Sequence, residues 1–397
     1  MVSGETHYVV SMKRLSRIVL ASAVVGAVAL SLAGCAGGGT SDTLRIGVEA
    51  PLSGEQSVTG VGMINGAQLA ADEINADGGV DGRKIEIIAI DDAADPDTGV
   101  AAAEAAIADG LDGVVGPYNS GVGIKTLPLY QAAGILPIRL TTNSKTNSMG
   151  FTLQPMDYQI APVAATGLDQ WLGAKSVAII YDESAEYTKS IASTLKSQLE
   201  SAGLTVPVFT AIDPGKADYS AAVTAASQAG VDVIYGATYF PEGALLAQAI
   251  HTLQVPQPCV LDYGSYDPGY ITNAGSVEVA AACSLVGVPS PTDFAKGAGF
   301  VADFTEKFGE APGTWSPYTY DSVKLLADAV SSTKGTDMAA LTDYLNTVAN
   351  WQGATGSVTI DPANGNREPA TVVFLSVTPA GEFHVNHDWA NAVGAPF

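Results

Sequence analysis

The chain has 397 residues, 47% of them hydrophobic and 15% charged, so it is long enough for two globular domains and too apolar for a disordered protein. Its formal net charge of −23 argues against a nucleic-acid-binding protein, which needs a basic surface. An acidic balance of this kind is typical of a soluble protein outside the cell.

The N-terminal residues have the order of a secretion signal. Three basic residues precede the small and apolar run 18–32, which is short for a membrane span and fits the core of a signal peptide. The run ends in LAGC, which resembles the lipobox of bacterial lipoproteins. We therefore expect a signal peptide over 1–34, a lipidated Cys35 as the mature N-terminus and a flexible linker over 35–42. An ordinary signal peptide followed by a chance cysteine is the alternative.

After the linker, strands and helices alternate. The predicted strands are Leu44–Val48, Lys84–Ile90, Gly113–Val115 and Leu136–Leu140, and the predicted helices include Gly60–Asp77 and Asp97–Asp109. Strands separated by single helices at this spacing indicate right-handed crossovers and a parallel sheet.

The same pattern restarts after Asp157. The predicted helices are Tyr158–Leu172, Tyr187–Ala202, Ser220–Gln228 and Glu242–Leu253, and the predicted strands are Ser176–Tyr181, Thr205–Thr210, Val231–Tyr235 and Cys259–Leu261. Continuous apolar runs such as SVAIIY are typical of strands that are buried on both faces. We expect a second sheet of the same kind, large enough for its own core.

The remaining residues do not suggest a third domain. Helices are predicted at Asp293–Phe308, Pro317–Ser332 and Met338–Val348, and strands at Thr355–Ile360 and Thr371–Val377. We expect an α/β protein with two Rossmann-like lobes and parallel-type sheets, joined by three crossings of the chain that form a hinge. The predicted N-terminal lobe comprises 43–157 and 290–362, and the predicted C-terminal lobe comprises 158–289 and 363–397.

Small hydroxyl and amide residues follow the third and fourth predicted strands. They are Asn119, Ser120, Thr141, Thr142 and Asn143. In an open parallel sheet these strand ends share one edge, beside the starts of the helices. Free N–H groups and short hydroxyls at such an edge hold a small anionic or polar group, commonly a carboxylate.

Several segments together resemble a known family. They read IGVEAPLSG, NGAQLAADEINADGGVDGRKIEIIAIDDAADP, GVVGPYNSG, VAIIYDE and IYGATYFPEG. They are similar to type I periplasmic binding proteins, in particular the branch of the Leu/Ile/Val-binding protein of bacterial ABC importers, and the similarity covers Leu44–Val377. This resemblance implies a solute receptor whose two lobes close on a ligand and which docks on a membrane permease, without a cofactor.

The resemblance also implies roles for individual residues. Ser120 would bind the ligand carboxylate, and Thr141 with Thr142 or Asn143 would contact the ligand beside it. Asp157 would lie at the hinge. The tyrosines that cover the ligand would be Tyr187 and Tyr239, and an acid that holds a ligand ammonium is expected near Asp262 and Tyr263.

Three positions depart from the family pattern. Thr59 stands where an aromatic residue usually packs on the ligand, Arg139 stands where a small residue is common, and Tyr263 aligns with the acid, with Asp262 one place earlier. A carboxylate without a free amine, or an amide, therefore competes with a plain aliphatic amino acid. Ser120 could also serve as a helix cap, and Arg139 could be paired at the end of its strand.

Cys259 and Cys283 are the other two cysteines of the chain. They follow a secretion signal and lie in or beside predicted strands of the second lobe, so we expect a disulfide bond between them.

An enzyme is the main rival class. The sequence has no G-x-S-x-G motif around Ser53, Ser120 or Ser265 and no phosphate-binding GK[ST] motif. The histidines after the predicted signal have no matching cluster of acids or cysteines, so no metal site is expected. We expect a lipid-anchored extracytoplasmic receptor that delivers a small carboxylate, such as a branched-chain or related amino acid, to an ABC permease. The alternatives are a receptor for an amide, urea-like or aromatic-acid solute, and a sensing ectodomain not coupled to transport.

Overall fold

The computed structural model of the chain describes residues 43–397. The predicted signal peptide, Cys35 and the linker lie outside the described residues. Within 43–397, no helix combines the length and the apolar character needed to cross a membrane.

The first lobe begins with four strands and three connecting helices. The strands are β1 (Thr43–Ala50), β2 (Lys84–Asp91), β3 (Gly113–Val115) and β4 (Pro137–Ile138), and the helices are α1 (Ser57–Ala76), α2 (Pro96–Asp109) and α3 (Ser120–Ala132). All four strands are parallel, in the order β2-β1-β3-β4. Ile46 and Val48 of the central strand are fully buried, as expected for a parallel sheet covered on both faces.

The second lobe repeats this arrangement. Its strands are β5 (Ser176–Asp182), β6 (Thr205–Ile212), β7 (Val233–Ala237), β8 (Cys259–Leu261) and β9 (Cys283–Gly287). Its helices are α4 (Asp157–Thr166), α5 (Glu186–Ser201), α6 (Ser220–Gln228), α7 (Phe240–Thr252), α8 (Pro268–Ala274) and α9 (Val277–Ala280). These five strands are parallel, in the order β9-β8-β7-β5-β6.

After β9 the chain returns to the first lobe. It forms α10 (Gly297–Phe308), α11 (Ser316–Thr333) and α12 (Met338–Leu345). The helix α11 packs along α1, and Gly66 of α1 makes this close approach possible because a Cβ there would stand 2.1 Å from the carbonyl oxygen of Ser316. The predicted strand Thr355–Ile360 is divided in the structure. Four short strands form two antiparallel pairs here: β10 (Trp351–Gly353) with β11 (Gly356–Val358), and β12 (Ile360–Asp361) with β13 (Asn366–Arg367).

The last part of the chain completes the second sheet. Strand β14 (Val373–Val377) pairs antiparallel with β9, β15 (Phe383–Val385) pairs antiparallel with β14, and α13 (His387–Val393) follows. The two-lobed α/β fold with mainly parallel sheets is confirmed, with these two antiparallel strands at one edge. The chain passes between the sheets three times, and the exact lobe boundaries remain a prediction.

A disulfide bond links two neighbouring strands of the second sheet. Cys259 of β8 and Cys283 of β9 stand directly opposite each other in the parallel register, with Cα atoms 4.5 Å apart and an S–S distance of 2.08 Å. Both cysteines are buried.

Candidate functional site

The carboxyl edge of the first sheet carries two hydroxyl groups beside a helix start. Ser120 is the first residue of α3, and Thr142 follows the end of β4; both are buried. The backbone N–H of Asn143 donates to Ser120 Oγ at 3.3 Å, which ties the ends of β3 and β4 together. The strand order β1-β3-β4 thus brings these residues to one point, as the sequence predicts.

These hydroxyls face residues of the second lobe around a small space, here called the inner cavity. Eight residues line it: Tyr118, Ser120, Leu140, Thr142, Tyr187, Tyr239, Tyr263 and Gly264. Its volume is about 10 Å³, which is room for roughly one water molecule. None of the eight side chains carries a formal charge at neutral pH.

Aromatic rings from both lobes meet at the inner cavity. The ring of Tyr118 lies 5.8 Å from that of Tyr239 and 5.3 Å from that of Trp315, measured between centroids. Tyr239 lies 5.7 Å from Tyr187, and Tyr263 lies 5.1 Å from Trp315. These are ordinary distances for aromatic pairs, so the rings form a continuous wall across the cleft.

Thr142 and Asp157 both have buried oxygen atoms without a partner. Thr142 Oγ1 makes no hydrogen bond of normal geometry within residues 43–397, although it lies beside the Asp157 carboxyl. Asp157 Oδ2 accepts a hydrogen bond from Ser190 of α5 at 2.9 Å, whereas its Oδ1 has no partner among these residues. Burial raises the pKa of Asp157 to about 7, against the effect of the Thr142 and Ser190 hydroxyls.

Asp262 lies behind the tyrosine wall. Its two carboxylate oxygens accept hydrogen bonds from the hydroxyls of Tyr187 and Tyr235, and its side chain does not line the inner cavity. Burial raises the pKa of Asp262, and these two hydroxyls oppose the shift. Tyr263, the next residue, does line the cavity, and its hydroxyl donates to Gln154 Oε1 at 3.2 Å.

Thr141 and Asn143 direct their side chains away from the inner cavity. The hydroxyl of Thr141 donates to Thr146 Oγ1 at 2.8 Å. The amide of Asn143 donates to the carbonyl oxygen of Glu186 at 3.1 Å and accepts from the N–H of Lys145 at 2.9 Å. Both residues thus hold the turn after β4 and, through Glu186, join it to the second lobe.

Arg139 is fully buried and does not line the inner cavity. Its guanidinium donates to the carbonyl oxygen of Thr146 at 2.8 Å and to Asn366 Oδ1 at 2.6 Å. Burial lowers the pKa of Arg139 to about 9. Arg139 therefore connects the turn after β4 to the third crossing of the chain.

A buried hydrogen bond joins the lobes on the other side of the inner cavity. Thr59 of α1 donates through Oγ1 to Asp267 Oδ2 at 2.8 Å, and Asp267 Oδ1 accepts from the N–H of Gly269 at 2.8 Å. Burial raises the pKa of Asp267 to about 6. Thr59 thus contacts the second lobe, at the position where the resemblance implies an aromatic residue.

A larger space, here called the outer cavity, lies between the lobes at the surface. The outer cavity has a volume of about 330 Å³. Tyr239 lines both the inner and the outer cavity and therefore lies between them. Its charged lining residues are all acidic: Glu55, Asp182, Glu186 and Glu242. Glu186, one of these acids, forms a salt bridge of 2.6 Å with Lys145 that is largely exposed to solvent.

Comparison with known proteins identifies the family to which this chain belongs. The family model described as "Periplasmic binding protein" matches residues 43–381. The chain belongs to the periplasmic binding protein family. It is a solute-binding protein and not an enzyme, and membership of this family implies a location outside the cytoplasm.

Two relatives of this periplasmic binding protein are named Leu/Ile/Val-binding proteins. Leu/Ile/Val-binding protein homolog 1 of Brucella abortus is 28% identical over 352 residues, which are 87% of this chain and 94% of that protein. Leu/Ile/Val-binding protein BraC3 of Rhizobium johnstonii is 39% identical over 217 residues, which are 53% of this chain and 58% of that protein. The solved structure of the leucine-binding protein LivK of Thermotoga maritima is 22% identical with a TM-score of 0.80, covers 87% of this chain and 98% of its own, and supports the type I fold.

The sequence analysis missed three lining residues of the inner cavity, and it missed Trp315, which packs against Tyr118 and Tyr263 of the wall. Tyr118, Leu140 and Gly264 each lie within two residues of a predicted site residue, so their positions at strand ends could have indicated them. Trp315 had no local signal, because it precedes α11 in the returning segment and reaches the site only through the packing of α11 on α1.

Proposed function

We propose that this binding protein captures a small carboxylate solute between its lobes and delivers it to an ABC permease. The single observation that supports the site is the inner cavity, where hydroxyls at the start of α3 and the end of β4 face the tyrosines of the second lobe. Helix starts and short hydroxyls bind carboxylates without a buried ion pair, which often contributes little net stability.

The proposed contacts divide between the lobes. In the first lobe, Ser120 and Thr142 bind the carboxylate through their hydroxyls. In the second lobe, Tyr187, Tyr239 and Tyr263 cover the body of the solute. The branched-chain amino acids in the names of the relatives are the first compounds to test.

A screen of solutes against the purified full chain tests this proposal. Amino acids, amides and small carboxylates are compared by thermal shift and then by calorimetric titration. A ligand at a hundredfold excess over its Kd should stabilise the protein by about 2.7 kcal/mol. At roughly 2–4 °C per kcal/mol, the melting temperature should rise by about 5–10 °C.

Two substitutions locate the site once a ligand is found. Ser120→Ala should weaken binding by about 1–3 kcal/mol through the lost charge-assisted hydrogen bond, without unfolding the protein. Tyr239→Ala should weaken it by removing part of the wall. Tyr181→Ala is the control, because Tyr181 packs on Phe209 in the same lobe and lines neither cavity. If the first two variants bind as tightly as the control, the site lies elsewhere.

We also propose that the mature chain begins at a lipidated Cys35, which anchors it to the cell membrane beside its permease. Stable anchoring needs at least two acyl chains. Mass spectrometry of the N-terminal peptide from membrane-extracted protein should show a diacylated or triacylated Cys35; an unmodified N-terminus elsewhere contradicts the proposal. Uptake of the identified solute should fall in cells that lack this chain.

A further inference from the structure

The inner cavity offers hydrogen-bonding groups but no carboxylate. Its polar lining groups are hydroxyls of serine, threonine and tyrosine together with backbone atoms, and none of its eight lining side chains is an acid or a base. An α-amino acid brings both a carboxylate and an ammonium group into such a site. An ammonium group that leaves water needs an anion or several well-placed acceptors, because an unpaired buried charge is costly.

Two buried acids near the cavity, Asp262 and Asp267, already have both oxygens engaged. Asp262 accepts hydrogen bonds from Tyr187 and Tyr235, one on each oxygen. Asp267 accepts from Thr59 on one oxygen and from the N–H of Gly269 on the other. A ligand ammonium could reach either acid only by displacing these partners.

Another buried acid, Asp157, lies beside Thr142 and has one oxygen without a partner among residues 43–397, but it does not line the cavity. The group that faces the cavity at this point is Thr142, whose buried hydroxyl has no partner within residues 43–397. A hydrogen bond from the Thr142 hydroxyl to a ligand carboxylate would give both groups a hydrogen-bond partner. The N-terminal end of α3 favours negative charge. An ammonium group in the position of the ligand carboxylate would therefore be repelled by this helix end.

We propose that the inner cavity selects a small monocarboxylate with an apolar or aromatic body and no ammonium group, in preference to the matching α-amino acid. This inference rests on the proposed function, the capture of a carboxylate, and narrows it to one class. The carboxylate lies against Ser120 and Thr142 at the start of α3. The tyrosine rings and Leu140 surround the body of the solute, and Trp315 packs against Tyr118 and Tyr263.

The outer cavity adds a kinetic property that distinguishes the two classes. A monoanion passes three acidic side chains and the Lys145–Glu186 ion pair on its way to Tyr239, whereas an α-amino acid passes them with no net charge. Repulsion of this kind acts mainly on the association rate and is screened by salt, with a Debye length of about 8 Å at physiological ionic strength. The association rate of a monocarboxylate should therefore rise with salt, and that of an amino acid should not.

Matched pairs of solutes provide the decisive experiment. Leucine is compared with 4-methylpentanoate, and phenylalanine with 3-phenylpropanoate, by calorimetric titration of the full chain near neutral pH. We expect the amine-free member of at least one pair to bind about tenfold more tightly or better. Its association rate in stopped-flow fluorescence should increase between about 20 mM and about 200 mM salt.

Three variants test the reason for this preference. Tyr263→Glu places a carboxylate on the cavity wall and should shift the preference at least about tenfold toward the amino acid. Tyr263→Phe removes the hydroxyl and its bond to Gln154 but adds no charge, so it should change the affinities for both members of a pair by a similar factor. Asp262→Asn should also keep it, because Asp262 does not face the ligand. Circular dichroism and the melting temperature check that each variant is folded.

The outcomes separate this inference from the function on which it rests. If an amino acid binds as tightly as its amine-free partner, or if Asp262→Asn selectively abolishes amino-acid binding, the inference is overturned while carboxylate capture stands. If amides such as 2-methylpropanamide bind and no carboxylate does, the proposed function itself fails.

Discussion

Thr141 and Thr142 are neighbours in sequence, but their hydroxyl groups have different surroundings. Thr141 donates to Thr146 inside the first lobe, whereas Thr142 lines the inner cavity and has no partner within residues 43–397. A hydroxyl that is left unpaired in the protein alone and faces a cavity is suited to binding rather than to stability.

This difference predicts opposite effects of the same substitution. Thr142→Val should weaken solute binding by about 1–3 kcal/mol and lower the melting temperature less than Thr141→Val does, because Thr142 makes no internal hydrogen bond of normal geometry and only lies beside the Asp157 carboxyl. Thr141→Val should lower the free energy of unfolding by about 1 kcal/mol and leave affinity nearly unchanged. Calorimetric titration and denaturant unfolding of both variants measure the two effects. Equal effects of the two variants on affinity would contradict this assignment.

The Asp267 carboxyl should make stability depend on pH. Burial raises its pKa to about 6, above the ordinary value of about 4 in the unfolded chain. Between these values the folded protein binds more protons than the unfolded chain, so this contribution to stability is present at low pH and is lost as the pH rises through about 6. The Asp267→Asn variant, which resembles the protonated acid, should lose this part of the pH dependence.

Melting temperatures of wild type and variants between about pH 4 and about pH 8 check this prediction. Thr59→Val is the matched variant with the opposite effect, because it removes a hydroxyl that favours the charged carboxylate. A constant difference between Asp267→Asn and wild type across this range would show that Asp267 does not titrate there.

At the scale of elements, Arg139 connects two segments that are far apart in sequence. Arg139→Met leaves the Thr146 carbonyl and Asn366 without their donor and should destabilise the protein by about 2–4 kcal/mol. It should also weaken solute binding, because Thr146 holds the turn that carries Thr142. Arg139→Lys should recover only part of this loss, since an ammonium group cannot reproduce the planar fork.

Lys145→Met is the matched control for Arg139, because Lys145 belongs to the same turn but its ion pair with Glu186 is largely exposed. Such pairs contribute about 0–1 kcal/mol. Denaturant unfolding should therefore separate the two variants clearly. Equal stabilities would mean that the buried guanidinium is not a structural link.

The disulfide bond stabilises the pairing of β8 with β9. Cys259 and Cys283 are 24 residues apart, and closing a loop of this length contributes roughly 3 kcal/mol in the chain-entropy model. The Cys259→Ala/Cys283→Ala variant should melt roughly 6–12 °C lower than wild type. Reductant should lower the melting temperature of wild type and of Cys35→Ala but not that of the double variant. A reductant effect in the double variant would contradict this role.

The sequence predicts the parallel parts of both sheets because each strand is a continuous apolar run between helical segments. It does not predict the division of 355–360 into two short strands, because these pairs depend on turns and contacts rather than on periodicity. In the site, strand order explains why Ser120 and Thr142 meet. The burial of Asp262 could not be predicted, because it depends on the Tyr187 and Tyr235 hydroxyls from two other elements.

At the scale of the whole molecule, the two lobes are in contact across the cleft. The Thr59–Asp267 and Tyr263–Gln154 hydrogen bonds close it, and the inner cavity of about 10 Å³ is far smaller than the volume of an amino acid or an organic acid. A solute can therefore enter only after the lobes separate or the tyrosines move.

This geometry predicts that opening limits the binding rate. In stopped-flow fluorescence, the observed association rate should level off at high solute concentration at the rate of opening. Thr59→Val removes one contact of the closed form and should raise this plateau. An association rate that increases linearly with concentration, and is unaffected by Thr59→Val, would show that the solute binds without prior opening.

The position of β14 has a consequence for the order in which the chain can fold. This strand comes from near the C-terminus and pairs with β9, about ninety residues earlier, while α11 from the returning segment covers the first sheet. Neither lobe has its full core until almost all of the chain has been synthesised. A nascent chain with this topology stays incomplete for most of its synthesis, since contacts between distant segments form late. Because the chain folds late, it is still unfolded while most of it is being synthesised. A chain that has not yet folded can still be translocated across a membrane.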